Sequence, residues 1–242
     1  MKSRIIKTNI TLNTRDLGNL KTKKGNKTKI KRFIRSDNLV YNHDSIYTII
    51  DLMDNYNLKH VIDLRSPLEI EKDKSSASKI KGITYNNISL VNFIPLGNGI
   101  PSEYEYKELY QWYIDILEKS KNEIKQIIEC IYHNNKGATL FNCTMGKDRT
   151  SIIAMILLLI ARVDKRTIAK DHFISEQNVI SIYAPYLHSM NDNQKVFTKV
   201  KYDDIIQTIN YIENKYIDID NYLISCNIDK KVIISIRRRF VS

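Results

Sequence analysis

Leu140-Phe141-Asn142-Cys143-Thr144-Met145-Gly146-Lys147-Asp148-Arg149-Thr150-Ser151 runs without a spacer into Ile152-Ile153-Ala154-Met155-Ile156-Leu157-Leu158-Leu159. The order is a short apolar strand, a tight polar loop and a helix apolar on every side, as a helix at the centre of a fold should be. A strand feeding a helix through such a loop makes a phosphate cradle. Backbone N–H groups and the helix N-terminus converge on one point, where an anion is stabilised. The candidate cradle residues are Thr144, Met145, Gly146, Lys147, Asp148 and Arg149, with Gly146 where the backbone must curl.

Cys143 opens the loop, so the field that favours an anion favours its thiolate. Arg149, six positions later, brings a planar fork to two oxygens of one phosphate. Ionisation decides whether such a thiol is useful. At a pKa of about 8.5 roughly 3% is thiolate at pH 7, whereas at about 5.5 nearly all of it is. The competing reading is a small buried core cysteine, the usual place for a free thiol. Cys130 and Cys226 serve as controls, because six positions after them stand Lys136 and Val232. Only Cys143 combines the arginine, the glycine, a following threonine and the apolar helix.

Working outward, Ala138-Thr139-Leu140-Phe141 and His60-Val61-Ile62-Asp63-Leu64 read as buried strands of a mostly parallel sheet. Tyr106 to Tyr132 carries helical spacing, and Thr167–Asn178, Val200–Lys215 and Asp218–Arg238 extend the helical character to the end. The expected architecture is α/β, a central mostly parallel sheet flanked by helices, with a helical C-terminal portion. Residues 1–242 read as one domain, since no linker, repeat or low-complexity block divides a chain with only 7 glycines and 4 prolines. Residues 19–35 read as a basic hairpin.

Hydrophobic residues make up 43% and charged residues 27%, which argues against disorder. Lys+Arg 38 against Asp+Glu 27 gives +11, a surplus that favours phosphate-bearing partners. Nucleic acid is not expected, because acids interrupt the basic runs and no recognition motif is present. Three cysteines do not make a disulfide scaffold or a zinc site. His172 and His188 lack ligand spacing, so no metal and no cofactor is expected. The start, Met1 to Asn9, lacks the apolar core of a secretory signal, and the apolar run Ile152 to Ala161 is about half what a bilayer needs. A soluble, cytoplasmic chain is expected.

The loop resembles the Cys-x5-Arg signature of protein tyrosine phosphatases, and most of all a bacterial branch reading His-Cys-x-x-Gly-Lys-Asp-Arg-Thr-Gly. Asn13-Thr14-Arg15-Asp16-Leu17-Gly18, Arg35-Ser36-Asp37-Asn38-Leu39 and Asp63-Leu64-Arg65-Ser66-Pro67-Leu68-Glu69 follow that branch in order. Asp171-His172-Phe173-Ile174-Ser175 stands where it has Asp-Tyr-x-x-Ser. Two loop positions depart: Asn142 replaces the histidine before the nucleophile, and Ser151 the glycine after Arg-Thr. Asn142 retains groups able to hydrogen-bond the loop.

The resemblance implies a cysteine-dependent phosphatase with a tyrosine-phosphatase-like fold. Its substrates would be phosphotyrosine, with phosphoserine, phosphothreonine and phosphoinositides as further candidates. Cys143 would attack phosphorus, Arg149 and the loop amides would hold the equatorial oxygens, and the Thr150 hydroxyl would stabilise the departing thiolate. Asp148 is the first candidate for the acid that protonates the leaving oxygen and Asp63 the second. Asp148 also reads as a loop acceptor, and Asp63 and Arg65 as structural residues in ion pairs with their surroundings. Arg15-Asp16 reads either as holding the N-terminal segment against the loop or as a direct substrate contact. Lys147 is either a contact for an extra inositol phosphate or an exposed lysine that raises local potential. The basic hairpin and Arg237-Arg238-Arg239 would steer anionic substrates, meet an anionic membrane surface or simply be solvated. Residues 179–199 are a candidate lid. Some members of the family are secreted, which leaves export open. The rival to catalysis is an impaired phosphate- or phosphoinositide-binding relative.

Overall fold

The computed structural model describes residues 4–40, 42–91 and 105–242. Five strands form one sheet: β1 (Arg15–Asp16), β2 (Phe33–Ser36), β3 (Leu58–Asp63), β4 (Thr84–Asn87) and β5 (Ala138–Asn142). Their order is β1-β2-β5-β3-β4. Only the β1–β2 pair is antiparallel; β2, β5, β3 and β4 run parallel. The strand that feeds Cys143 is therefore central, with β2 and β3 on either side. In such sheets ligands bind beyond the carboxyl ends of the strands.

Strand periodicity divides the core in two. Phe33, Ile62 and Phe141 face the larger core, shared with α3 (Leu109–Lys119), α4 (Lys121–His133) and α5 (Arg149–Ile160). Ile34, Val61, Ala138 and Leu140 face a smaller one, closed by Ile49 and Leu52 of α1 (His43–Tyr56). The expected apolar helix is α5, buried along its whole length but for Leu159, which is half-buried. Around it lie α6 (Lys165–Tyr183), α8 (Tyr202–Tyr216), α9 (Ile219–Ser225) and α10 (Lys230–Phe240). The α/β architecture with a helical second half is the one the spacing predicts.

Three expectations need correction. The helix read over Tyr106 to Tyr132 is two, joined at Ser120, which ends α3 and begins α4. The one read over Asp218 to Arg238 is α9 and α10, broken where Asn227 takes a positive φ of 59°. The basic hairpin shrinks to a turn over Thr22–Asn26, closed by a Lys21–Lys27 bridge. Its intended second arm joins the main sheet instead, because Phe33 and Ile34 fill the cores on its two faces.

Candidate active site

The cradle forms where β5 ends. Three of its carbonyls are tied to the flanks: Asn38 N–H donates to the Thr144 oxygen (3.2 Å), Asn13 Nδ2 to that of Met145 (3.0 Å) and Arg35 Nη2 to that of Gly146 (2.7 Å). Among the described residues, no backbone N–H from Thr144 to Arg149 donates to a protein acceptor. Gly146 turns with φ of +64°, and a Cβ there would come within 2.6 Å of Asp37 N. Position 146 therefore excludes any other residue on two counts.

A cavity of about 280 Å³ opens on this loop, lined by Cys143, Thr144, Met145, Asp148 and Arg149. Trp112 from α3, Tyr183 from the end of α6 and Phe197 supply aromatic walls. Phe197 meets Trp112 edge to face at 5.2 Å. Trp112 and its neighbour Tyr113, on the core side of α3, are both buried, yet they reach the cavity and the loop. Of the candidate lid, Tyr183 and Phe197 are the residues at the cavity. Cys143 is 3% exposed, and it lies on the cavity floor rather than wholly within hydrocarbon.

Arg149 meets a partner that sequence spacing did not assign. Ser66-Pro67-Leu68-Glu69 is a capping box at the start of α2 (Pro67–Lys72), so Glu69 is fixed by helix capping. Its carboxylate accepts from Arg149 Nη1 (2.7 Å) and Nη2 (2.8 Å), and from the Thr144 hydroxyl. Burial pushes the Glu69 acid up, but the Arg149 hydrogen bonds and charge overcome it and hold it at about 2. The signal was present, since Glu69 closes one of the quoted motifs, but its partner lies 80 residues away.

Asp148 is held from two sides. The Tyr113 hydroxyl donates to Oδ1 (2.7 Å), and Lys147 Nζ lies 2.8 Å from Oδ1 and 2.7 Å from Oδ2. Burial first and Asp148 second push the Tyr113 phenol well above its ordinary range, so it stays a donor. Lys147 is 1% exposed, which removes the exposed-lysine reading; its ammonium is occupied by Asp148 and lies 5.9 Å from the Tyr183 ring centroid. Asp63 is not part of the cavity lining. It is fully buried, chelated by Arg65 Nε and Nη2 and by the Tyr85 hydroxyl. Thr150 Oγ1 is buried with no hydrogen-bond partner among the described residues. Neither side-chain atom of Asn142 has one either, so the expected bond from Asn142 to the loop is not made.

Behind the loop, Asp171 accepts from Arg4 (2.7 Å), Arg15 (3.3 Å) and Arg35 (2.9 Å). Burial opposes its charge, but Arg15, Arg35 and Arg4 together hold it well below the carboxylate range. Asp16 instead accepts from Gly18 N–H and Lys31 N–H, bracing the turn before β2. The basic surface lies elsewhere. Its lysines precede β2 and pack on the C-terminus, where Lys29 N–H donates to Phe240 O and Ser242 N–H to Lys27 O. That is the amino end of the parallel strands, opposite the cavity. Arg237 there is paired with Asp220, and Arg239 with Tyr132 O.

A cysteine and an arginine six residues apart thus stand on one amide-rich loop, beside one cavity and at the carboxyl end of a central parallel strand. The tyrosine phosphatase family profile matches residues 6–242, and the chain belongs to that family. A tyrosine-protein phosphatase of Nostoc commune is 33% identical over 114 residues, which is 47% of this chain and 39% of that protein. The alignment thus spans well under half of that relative's length.

Proposed function

We propose that the chain hydrolyses phosphotyrosine through a phosphocysteine intermediate. One observation carries the reading. Cys143 and Arg149 line the same aromatic-walled cavity, over a loop whose carbonyls are anchored outward. Cys143 Sγ attacks phosphorus as the bond to the aryl oxygen breaks, and the loop amides with Arg149 hold the three remaining oxygens. Asp148 gives its proton to the departing oxygen, and then takes one from the water that cleaves the sulfur–phosphorus bond. Tyr113 and Lys147 fix the carboxyl for both steps. Asp63, closed around Arg65, has no part in proton transfer. Thr150 Oγ1, buried and without a partner, suits a hydroxyl that turns toward the sulfur as it leaves. Trp112, Tyr183 and Phe197 favour a flat aryl group at the mouth. Lys147 is tied to Asp148 and the basic face sits at the far end of the sheet, so neither supports a phosphoinositide.

The test is turnover of 4-nitrophenyl phosphate and a phosphotyrosine peptide with chelator present. Cys143→Ser should abolish turnover while inorganic phosphate still binds. Turnover that persists in this variant would remove the proposal, and so would a wild-type Cys143 that iodoacetate alkylates no faster than a free thiol.

A further inference from the structure

Two positions at which this chain departs from the resembled motifs meet in the fold. Ser151, in the first turn of α5, and His172, on α6, are 1% exposed each. Ser151 Oγ lies 2.8 Å from His172 Nδ1, and Arg35 Nη2 donates to the same Oγ at 2.6 Å. The nitrogen that reaches Ser151 also donates to the Gly146 carbonyl at 2.7 Å. A single guanidinium nitrogen thus joins the sharpest turn of the cradle to the Ser151 hydroxyl.

Proton accounting gives the pair a direction. The Arg35 donor takes one lone pair of Ser151 Oγ, leaving the hydroxyl its own hydrogen to place. With His172 Nδ1 as the acceptor in reach, the neutral tautomer carries its hydrogen on Nε2, a buried nitrogen without a partner among the described residues. Burial, reinforced by Arg35 and Lys147, pushes this imidazole well below its ordinary range and keeps it neutral. A hydroxyl that donates to an imidazole is a better acceptor for the guanidinium. His172 also stands edge to face with Tyr113, ring centroids 5.8 Å apart, and Tyr113 holds Asp148. The Asn142 side chain, in contrast, makes no hydrogen bond among the described residues.

We propose that Ser151 and His172 act as one positioning unit for the catalytic loop, locking Arg35 on Gly146 and supplying the support that Asn142 does not. The inference rests on the phosphatase reading of the loop. It concerns positioning residues, neither of which touches the reacting atoms.

The test is a double-mutant cycle with Ser151→Ala, His172→Phe and the two combined. kcat and KM are read on 4-nitrophenyl phosphate, the rate of Cys143 alkylation by iodoacetate is followed with and without inorganic phosphate, and melting temperature checks the fold. Ser151→Ala should lower kcat about tenfold with KM within about twofold, and slow alkylation in step. His172→Phe should cost less, and the double variant should be no worse than Ser151→Ala alone, since coupled partners are non-additive. Should Ser151→Ala melt out, Ser151→Gly replaces it, glycine being the residue of the resembled loop. Losses that multiply in the double variant, or wild-type kcat and alkylation in Ser151→Ala, overturn the proposal. A chain without turnover that still shows the non-additive alkylation pattern sinks the phosphatase reading but not the positioning pair.

Discussion

Two arginine–carboxylate assemblies flank the loop from Cys143 to Arg149, and they are built differently. Behind it, Arg4, Arg15 and Arg35 converge on Asp171, and three of these four side chains are no more than 1% exposed. In front of it, one arginine meets one glutamate at the cavity wall, with Arg149 and Glu69 side chains 8% and 16% exposed. The rear cluster holds three cations on one anion, with further donors tied to Asn13, Ser151 and Ser175. The front pair is balanced and borders an open cavity. Burial and multiple pairing make the rear cluster part of the framework, and the exposed edge of the front pair leaves its cation beside the cavity.

Breaking the rear cluster should have the largest effect. Asp171→Asn keeps the shape and removes the single anion, leaving two buried guanidiniums and a half-buried third without a counter-charge. Loss of one partner from a buried pair costs about 3–5 kcal/mol, so urea unfolding should show destabilisation of that order. An Asp171→Asn protein as stable as wild type would mean the cluster is no framework at all. Arg149→Lys should reverse the pattern. A single ammonium replaces the fork, so kcat/KM should fall by about 10²–10³, the usual cost of one transition-state donor, with little change in urea midpoint. An Arg149→Lys variant that unfolds but keeps its specific activity would erase the distinction between the two assemblies.

These assemblies also separate what was legible in the sequence from what was not. The loop could be read because its chemistry is local. Cys143, Gly146 and Arg149 lie within seven consecutive residues, and the apolar run after them admits only a buried helix. The central strands could be read for the same reason, since both of their faces are apolar. By contrast, β4, the edge strand Thr84–Asn87, is polar and half-exposed, so no periodicity marks it. Glu69 was in view, but its approach to Arg149 depends on how α2 follows β3, a tertiary fact. Tyr113 sits at a core position of α3, and helical spacing gives no hint that its hydroxyl leaves that core to reach Asp148. For Lys147 the alternative of an exposed lysine rests on loop lysines usually being solvated. Here Asp148 beside it compensates the burial.

Asp204, near the front of the molecule, gives the comparison a third case, a buried carboxylate with no arginine. It caps α8, accepting from Lys201 N–H at 2.9 Å, while the Lys201 ammonium is paired with Glu108. Burial raises the Asp204 acid to about 6 from an ordinary 3.8, with Asp148 and Glu108 adding to the rise and the Lys201 backbone and charge only partly offsetting it. The sign is opposite to that of Glu69. Glu69, held at about 2, contributes stability that is present above its unfolded value and lost as pH falls toward 2. Asp204 is ionised in the unfolded chain above about pH 4 but stays protonated in the fold until about 6, so stability declines across that window and is level above it. Asp204→Asn keeps an oxygen for the Lys201 N–H and removes the charge. It should therefore be more stable than wild type by about 1 kcal/mol at pH 7 to 8, and the gain should vanish near pH 4, as read from urea midpoints at each pH. A gain that did not change with pH would trace to packing instead, and the contrast between carboxylates with and without arginines would lose its electrostatic basis.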